Sequence, residues 1–194
     1  FTLQEGEEDL TAPRAVIGAG TGLGQALLLP NGNEWNVVAT EGGHTDFAPS
    51  NRQQTLLLEH LIERFGHVSY ERVVSGVGLV TIYEFLRAYQ QCDENEALRQ
   101  SMINDDAGAA ISQFAVEHND PLATEALDMF IQIYGAQAGN LALTVSPRAG
   151  IYLAGGIAAK NLDRFKNGLF IQAFNAKGRM KPLMERVPVR IILQ

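Results

Sequence analysis

The sequence predicts an α/β domain on a mixed sheet, with a three-stranded antiparallel meander leading and helix-connected strands completing it. Three observations carry this. Two short apolar runs, residues 15–17 and 26–29, flank a turn containing Gly18, Gly20, Gly22 and Gly24. A third run rich in β formers, residues 35–40, follows the turn signal Pro30-Asn31-Gly32-Asn33. Beyond residue 50 the apolar spacing becomes helical, interrupted by strand-like runs at 150–154 and 187–193.

In chain order, residues 1–13 are polar and read as a connector. Residues 15–18, 23–29 and 35–40 are the meander strands. Residues 41–49, Glu-Gly-Gly-His-Thr-Asp-Phe-Ala-Pro, form an irregular polar loop. Ser50 or Asn51 caps a helix over 52–65, with Leu56, Leu57, Ile62 and Phe65 on its apolar face and Gly66 at its end. Residues 69–72 make a short turn, Val73-Val74 a brief strand, and Ser75-Gly76-Val77-Gly78 a second glycine loop. A helix follows over 79–90 with Leu79, Ile82, Tyr83 and Leu86 on one stripe; residues 95–100, and those from 107 onward, are also helical. Asp120-Pro121 opens a long helix to residue 145, a capping residue followed by proline in the first turn. Its apolar face is Leu122, Ala126, Met129, Ile133, Ala136 and Leu141. Gly155-Gly156-Ile157 breaks the strand at 150–154, helices follow over 162–166 and 169–174, and residues 187–193 are the last strand.

The 194 residues carry a net charge of −7, which argues against nucleic acid as a partner. One cysteine, Cys92, excludes an intramolecular disulfide framework and a cysteine-rich zinc cluster. The acidic N-terminal residues lack the apolar core of a signal peptide, and no stretch is long enough to span a bilayer, so a cytoplasmic location without membrane contact is expected. The chain starts without methionine and ends on an apolar run, so both ends are expected to be cut.

The glycines of 18–24 ask for positive φ and close approach to a neighbour. The dinucleotide pattern G-x-G-x-x-G fails, because Leu23 or Gln25 stands at its last glycine; the ATP-binding P-loop fails because no Gly-Lys-Ser/Thr follows. A hairpin with its N–H groups turned toward phosphate and a plain hairpin remain, level with each other. Glu41 and His44 flank two glycines, a pairing able to close around the vicinal hydroxyls of a sugar. A solvated loop is the somewhat stronger local reading. A metal at His44 and Asp46 lacks a further ligand at suitable spacing. Glu71 reads locally as half of a surface pair with Arg72. The loop at 75–78 precedes a helix whose N-terminus attracts anions, and Ala154-Gly155-Gly156-Ile157 sits where α/β sheets bind ligands. An ordinary connector reads each of them as well. His60, His67, His118 and Cys92 receive no role.

Five stretches in order resemble the bacterial glucokinase family: Gly-Ala-Gly-Thr-Gly-Leu-Gly (18–24), Glu-Gly-Gly-His-Thr-Asp-Phe-Ala-Pro (41–49), Glu-Arg-Val-Val-Ser-Gly-Val-Gly-Leu (71–79), Gly-Asn-Leu-Ala-Leu (139–143) and Ala-Gly-Gly-Ile (154–157). The resemblance implies an actin-like, ribonuclease-H-related ATPase fold in two domains. It implies glucose phosphorylation at the 6-hydroxyl by ATP with Mg²⁺, the first step of glycolysis. Gly20, Thr21 and Gly22 would match a phosphate loop. Glu41, His44 and Glu71 would match glucose ligands, and Gly76, Gly155 and Gly156 would match segments near the nucleotide.

The family's Asp-x-Gly-Gly-Thr loop and the Asn-Asp pair that holds its catalytic aspartate are absent; Asn104-Asp105 and Asn119-Asp120 lie downstream of the glycine turn. No catalytic residue is therefore assigned, and the catalytic aspartate is expected in an N-terminal part. Residues 1–13 are expected to be a connector remnant of that domain, and 14–194 a large C-terminal domain truncated before its terminal helix. A homodimer, inactive as this fragment, is implied. The alternatives are a kinase for another hexose or amino sugar, a non-catalytic sugar sensor, and an oligomer scaffold.

Overall fold

The computed structural model describes residues 1–193, and among them six strands form one mixed sheet. They are β1 (Thr2–Gln4), β2 (Arg14–Ala19), β3 (Leu23–Asn31), β4 (Glu34–Thr40), β5 (Ile151–Ala154) and β6 (Val189–Ile191), laid out in the order β1-β6-β5-β2-β3-β4. β2, β3 and β4 are the expected antiparallel meander, with Ala15 opposite Leu27 and Leu27 opposite Val38. β5 joins β2 in parallel, and β6 joins β5 in parallel. Parallel neighbours need long crossovers, and helices supply them here. The helices are α1 (Arg52–Phe65), α2 (Gly76–Gln90), α3 (Glu96–Asn104), α4 (Ala107–Glu117), α5 (Pro121–Val145), α6 (Gly156–Lys160), α7 (Leu162–Phe165), α8 (Leu169–Asn175) and α9 (Lys181–Met184).

One face of the sheet is the core. Ala15, Ile17 and Ala19 of β2 are fully buried, as are Ile151, Leu153 and Val189 in the neighbouring strands, following the two-residue alternation of a pleat. Helix α5 packs against β2, and α2, α4 and α8 pack against α5. The predicted face of α5 is buried, but so are Leu127, Phe130, Ile131, Tyr134 and Ala138, so the helix is enclosed nearly all round. The Tyr134 hydroxyl donates to the Ile17 carbonyl at 3.0 Å, which gives this buried phenol its partner in mid-sheet. Burial raises its pKa. The other face is more open: Arg14 lies over the Trp35 ring at 4.4 Å, and Val37 is 70% exposed.

Five local expectations need correction. Thr2–Gln4, read as connector, is an edge strand in which Thr2 stands opposite Arg190; the Gln4 amide donates to the Met184 and Val187 carbonyls at 2.9 and 2.8 Å. Val73-Val74 is not a strand, because both N–H groups turn back to the Tyr70 carbonyl. The supposed loop at 75–78 is the first turn of α2, with the Ser75 hydroxyl accepting the Gly78 N–H at 3.0 Å. On α1 the buried residues are Leu57 and Leu61, and Ile62 faces solvent. The last strand is also shorter than expected, ending at Ile191. No helix among the described residues is long and apolar enough to cross a membrane.

Asp120 caps α5 by accepting the Ala123 N–H at 2.9 Å, and its second oxygen accepts from Asn95 at 3.1 Å. Asp120→Ala is expected to lower the unfolding free energy by about 1–2 kcal/mol. Urea denaturation checks this, with the slope unchanged if the effect lies in the folded state.

Candidate active site

The turn between β2 and β3 is closed by the Gly20 N–H donating to the Gly22 carbonyl at 2.9 Å. The Gly20 carbonyl in turn accepts the Gly76 N–H at 2.8 Å, tying the turn to the first residue of α2. One residue past the turn, the Leu23 N–H donates to Glu71 Oε2 at 2.9 Å. A charge-assisted bond of this kind orients the carboxylate and leaves its other oxygen for a ligand. That oxygen, Oε1, lies 3.9 Å from His44 Nδ1, and His44 Nε2 lies 3.8 Å from Glu41 Oε2. The three residues expected to hold a sugar therefore converge, although 30 positions separate Glu41 from Glu71.

Two 3-10 turns carry them. Gly42–His44 follows Glu41, and Tyr70–Arg72 contains Glu71. The Tyr70 N–H donates to the Thr45 carbonyl at 2.9 Å, and the Phe47 N–H to the Val68 carbonyl at 2.9 Å, so the segments are stitched together by backbone. Arg72 does not pair with Glu71 but lies over the Phe65 ring at 4.4 Å. The surface-pair reading of Glu71 fails for that reason. Two carboxylates and an imidazole present acceptors on each side with a donor or acceptor between, a set that hydroxyl groups can satisfy.

Beside this cluster lies a cavity of about 720 Å³, within the range of small-molecule sites. The turn contributes Gly20 and Thr21, α2 contributes Gly76 and Val77, and α6 contributes Gly156, Ile157 and Lys160. Helix α4 forms a wall that sequence reasoning missed, with Ser112 and Gln113 facing the space and Asp106 at its cap. The small residues Ala107, Gly108 and Ala109 at the start of α4 were the available signal. Among the described residues no group of three or more His, Cys, Asp or Glu side chains could hold a metal ion.

Two glycines assigned to the nucleotide do not line this cavity. A Cβ on Gly22 would lie 2.6 Å from Glu71 Oε2, so its missing side chain makes room for the Glu71 carboxylate. Gly155 has φ of +86° and passes against the Ala19 carbonyl, which explains it by backbone conformation and packing.

A family model described as Glucokinase matches residues 1–194. The chain belongs to the glucokinase family. The glucokinase of Trichormus variabilis is 47% identical over 206 aligned residues, covering all of this chain and 60% of that protein. The chain thus spans about 60% of the length of such curated family members. Among solved structures, the glucokinase of an Antarctic psychrotroph superposes with a TM-score of 0.86 at 30% identity, covering 100% of this chain and 57% of that one. The Balamuthia mandrillaris glucokinase, solved in complex with glucose, superposes with a TM-score of 0.81 at 26% identity, covering 95% and 50%. The family fold is the actin-like ATPase α/β arrangement, and the meander with its helix-connected parallel strands is this chain's version of it.

Gly22→Ala is expected to push the Glu71 carboxylate off the Leu23 N–H. Amide hydrogen exchange at Leu23 should then accelerate by about tenfold or more while exchange in the interior of α5 stays unchanged.

Proposed function

We propose that this chain is the large domain of an ATP-dependent glucokinase, with residues 14–194 as most of its body and residues 1–13 leading in from a smaller domain while adding the edge strand β1 to the same sheet. The observation that carries the reading is the Leu23 N–H holding Glu71 directly beyond the glycine turn, within reach of His44, whose other ring nitrogen faces Glu41. It puts a sugar-type acceptor set next to a phosphate-type turn and a cavity of nucleotide scale. Glu41, His44 and Glu71 hold glucose hydroxyls. The Gly20–Thr21 turn and Gly76 face the phosphates, the apolar Val77 and Ile157 flank the base, and Lys160 supplies a cation to the cavity.

The reaction transfers the terminal phosphoryl group of ATP to the 6-hydroxyl of glucose. The bond from phosphorus to the ADP oxygen breaks, the bond to the sugar oxygen forms, and the hydroxyl proton passes to a base. That base is an aspartate in the portion that longer family members carry beyond this chain's span. Mg²⁺ would come bound to the nucleotide and would neutralise phosphate charge, since no group of three or more His, Cys, Asp or Glu side chains among the described residues could hold it. Closure of the two domains keeps water from competing as acceptor. A cytoplasmic homodimer is the proposed setting, checked by sedimentation.

The 194-residue chain alone is expected to release no ADP in a coupled assay with glucose and ATP, and turnover at an ordinary kinase rate would refute the assignment of the base. Calorimetry tests the two half-sites separately. Glu71→Gln should weaken glucose binding by about tenfold and leave ADP binding alone; Lys160→Ala should do the reverse, since one charge-assisted contact is worth roughly one decade of affinity. The pair of carboxylates, Glu41 and Glu71, also suits an ammonium group, which keeps an amino-sugar kinase as the second reading. A glucosamine affinity well above those for glucose and mannose would favour it. Sugar binding without any ADP binding would favour a sensor.

A further inference from the structure

The run Gly139-Asn140-Leu141-Ala142-Leu143 on α5 contributes no group to the cavity or to the sugar cluster, yet its first two residues sit at the centre of a polar network. Lys177, between α8 and α9, is half-buried against α5; its Nζ donates to the Ala136 carbonyl at 2.9 Å and to Asn140 Oδ1 at 2.7 Å. A Cβ on Gly139 would lie 2.6 Å from Lys177 Cε, so the helix is notched to admit the lysine. Burial lowers the lysine's pKa, and no carboxylate pairs with it among the described residues. An ammonium group sunk against a helix needs its acceptors, and here they are both neutral oxygens.

The network continues to both sugar turns. Asn140 Nδ2 donates to the Tyr70 hydroxyl at 3.0 Å and to Gln137 Oε1 at 3.2 Å. Gln137 is 4% exposed, and its Nε2 reaches the Gly42 carbonyl at 3.4 Å and Thr45 Oγ1 at 3.5 Å. Tyr70 immediately precedes Glu71, and Gly42 lies between Glu41 and His44. The direction of every bond is set at the lysine. Lys177 can only donate, so Asn140 must turn its oxygen toward it and its NH₂ toward Tyr70 and Gln137. Gln137 must then accept with its oxygen and point its own NH₂ at the 42–45 turn.

We infer that Lys177, Asn140 and Gln137 are positioning residues for sugar binding, which hold the turns Gly42–His44 and Tyr70–Arg72 at the separation that brings His44 between Glu41 and Glu71. None of the three touches the proposed sugar ligands. Their effect passes through the backbone of one turn and the phenol of the other. The inference rests on the glucokinase reading of Glu41, His44 and Glu71.

Lys177→Met keeps the length of the stem and removes the donor; Tyr70→Phe removes only the hydroxyl that Asn140 reaches. Both are compared with the unaltered chain by amide exchange without ligand, and by calorimetry with glucose and with ADP. The expected result is exchange about tenfold faster at Thr45 and Tyr70, with the interior of α5 unaffected. Glucose affinity should fall by about tenfold and ADP affinity should stay within about twofold. Tyr70→Phe should give the same pattern at smaller size. Unchanged exchange at Thr45 and Tyr70 in both variants would overturn the inference. So would faster exchange throughout the chain with equal losses of glucose and ADP affinity, since that is what a general packing role produces. If the unaltered chain binds no glucose, the sugar reading fails, and the exchange rates alone then decide whether the network holds the turns.

Discussion

Helix α5 is enclosed along most of its length, and the rest of the molecule is arranged to enclose it. Its capping carboxylate fixes where it starts, and Tyr134 fixes its rotation by reaching a carbonyl in the middle of β2. A helix buried on every side has no free rotation or slide left, because any shift leaves cavities or overlaps in a close-packed interior. Its register therefore sets that of the central strand, and the strand ends in the glycine turn. The same helix presents Gln137 and Asn140 on the side facing the turns Gly42–His44 and Tyr70–Arg72. One rigid element thus sets the reference for both halves of the site.

The two halves are also joined directly. Ser75 donates its hydroxyl hydrogen to the Glu71 carbonyl at 2.8 Å and caps α2, whose first N–H binds the Gly20 carbonyl. The Leu23 N–H closes the circuit back to the Glu71 side chain. Glu71, the N-terminus of α2 and the glycine turn are held in one loop of hydrogen bonds that joins two separate stretches of sequence, 20–23 and 71–78. Sites held through several rigid elements keep their geometry better than sites on a single free loop.

What could be read in the sequence was mostly local. Asn51 and Gly66 bound α1, Asp120-Pro121 opened α5, and the runs on either side of the glycine turn became β2 and β3, because each signal acts within a few residues of its effect. Strand β1 was not legible, since its three half-buried residues owe their structure to a partner nearly 190 positions away. The start of α2 was misread because two glycines outweigh a serine cap on propensity, while tertiary contacts decide the matter in the fold. Glu71 looked like a surface charge until the resemblance to the glucokinases singled it out, and its distinguishing contact is made 48 residues upstream. Lys160 and the α4 wall gave no motif, because a cavity is a property of elements meeting and not of any one of them.

The bond from the Gly76 N–H to the Gly20 carbonyl makes the glycine turn its own stand-in ligand. The donor an anion could use at the start of α2 is not idle but already satisfied from within. An acceptor must displace that carbonyl before it gains the N–H, so it profits only from the difference between two bonds. Water, as a neutral acceptor, has little to offer over an amide oxygen, whereas a phosphate oxygen brings charge as well. The bond thus fixes the turn to the start of α2 and takes the Gly76 N–H out of the set of free donors.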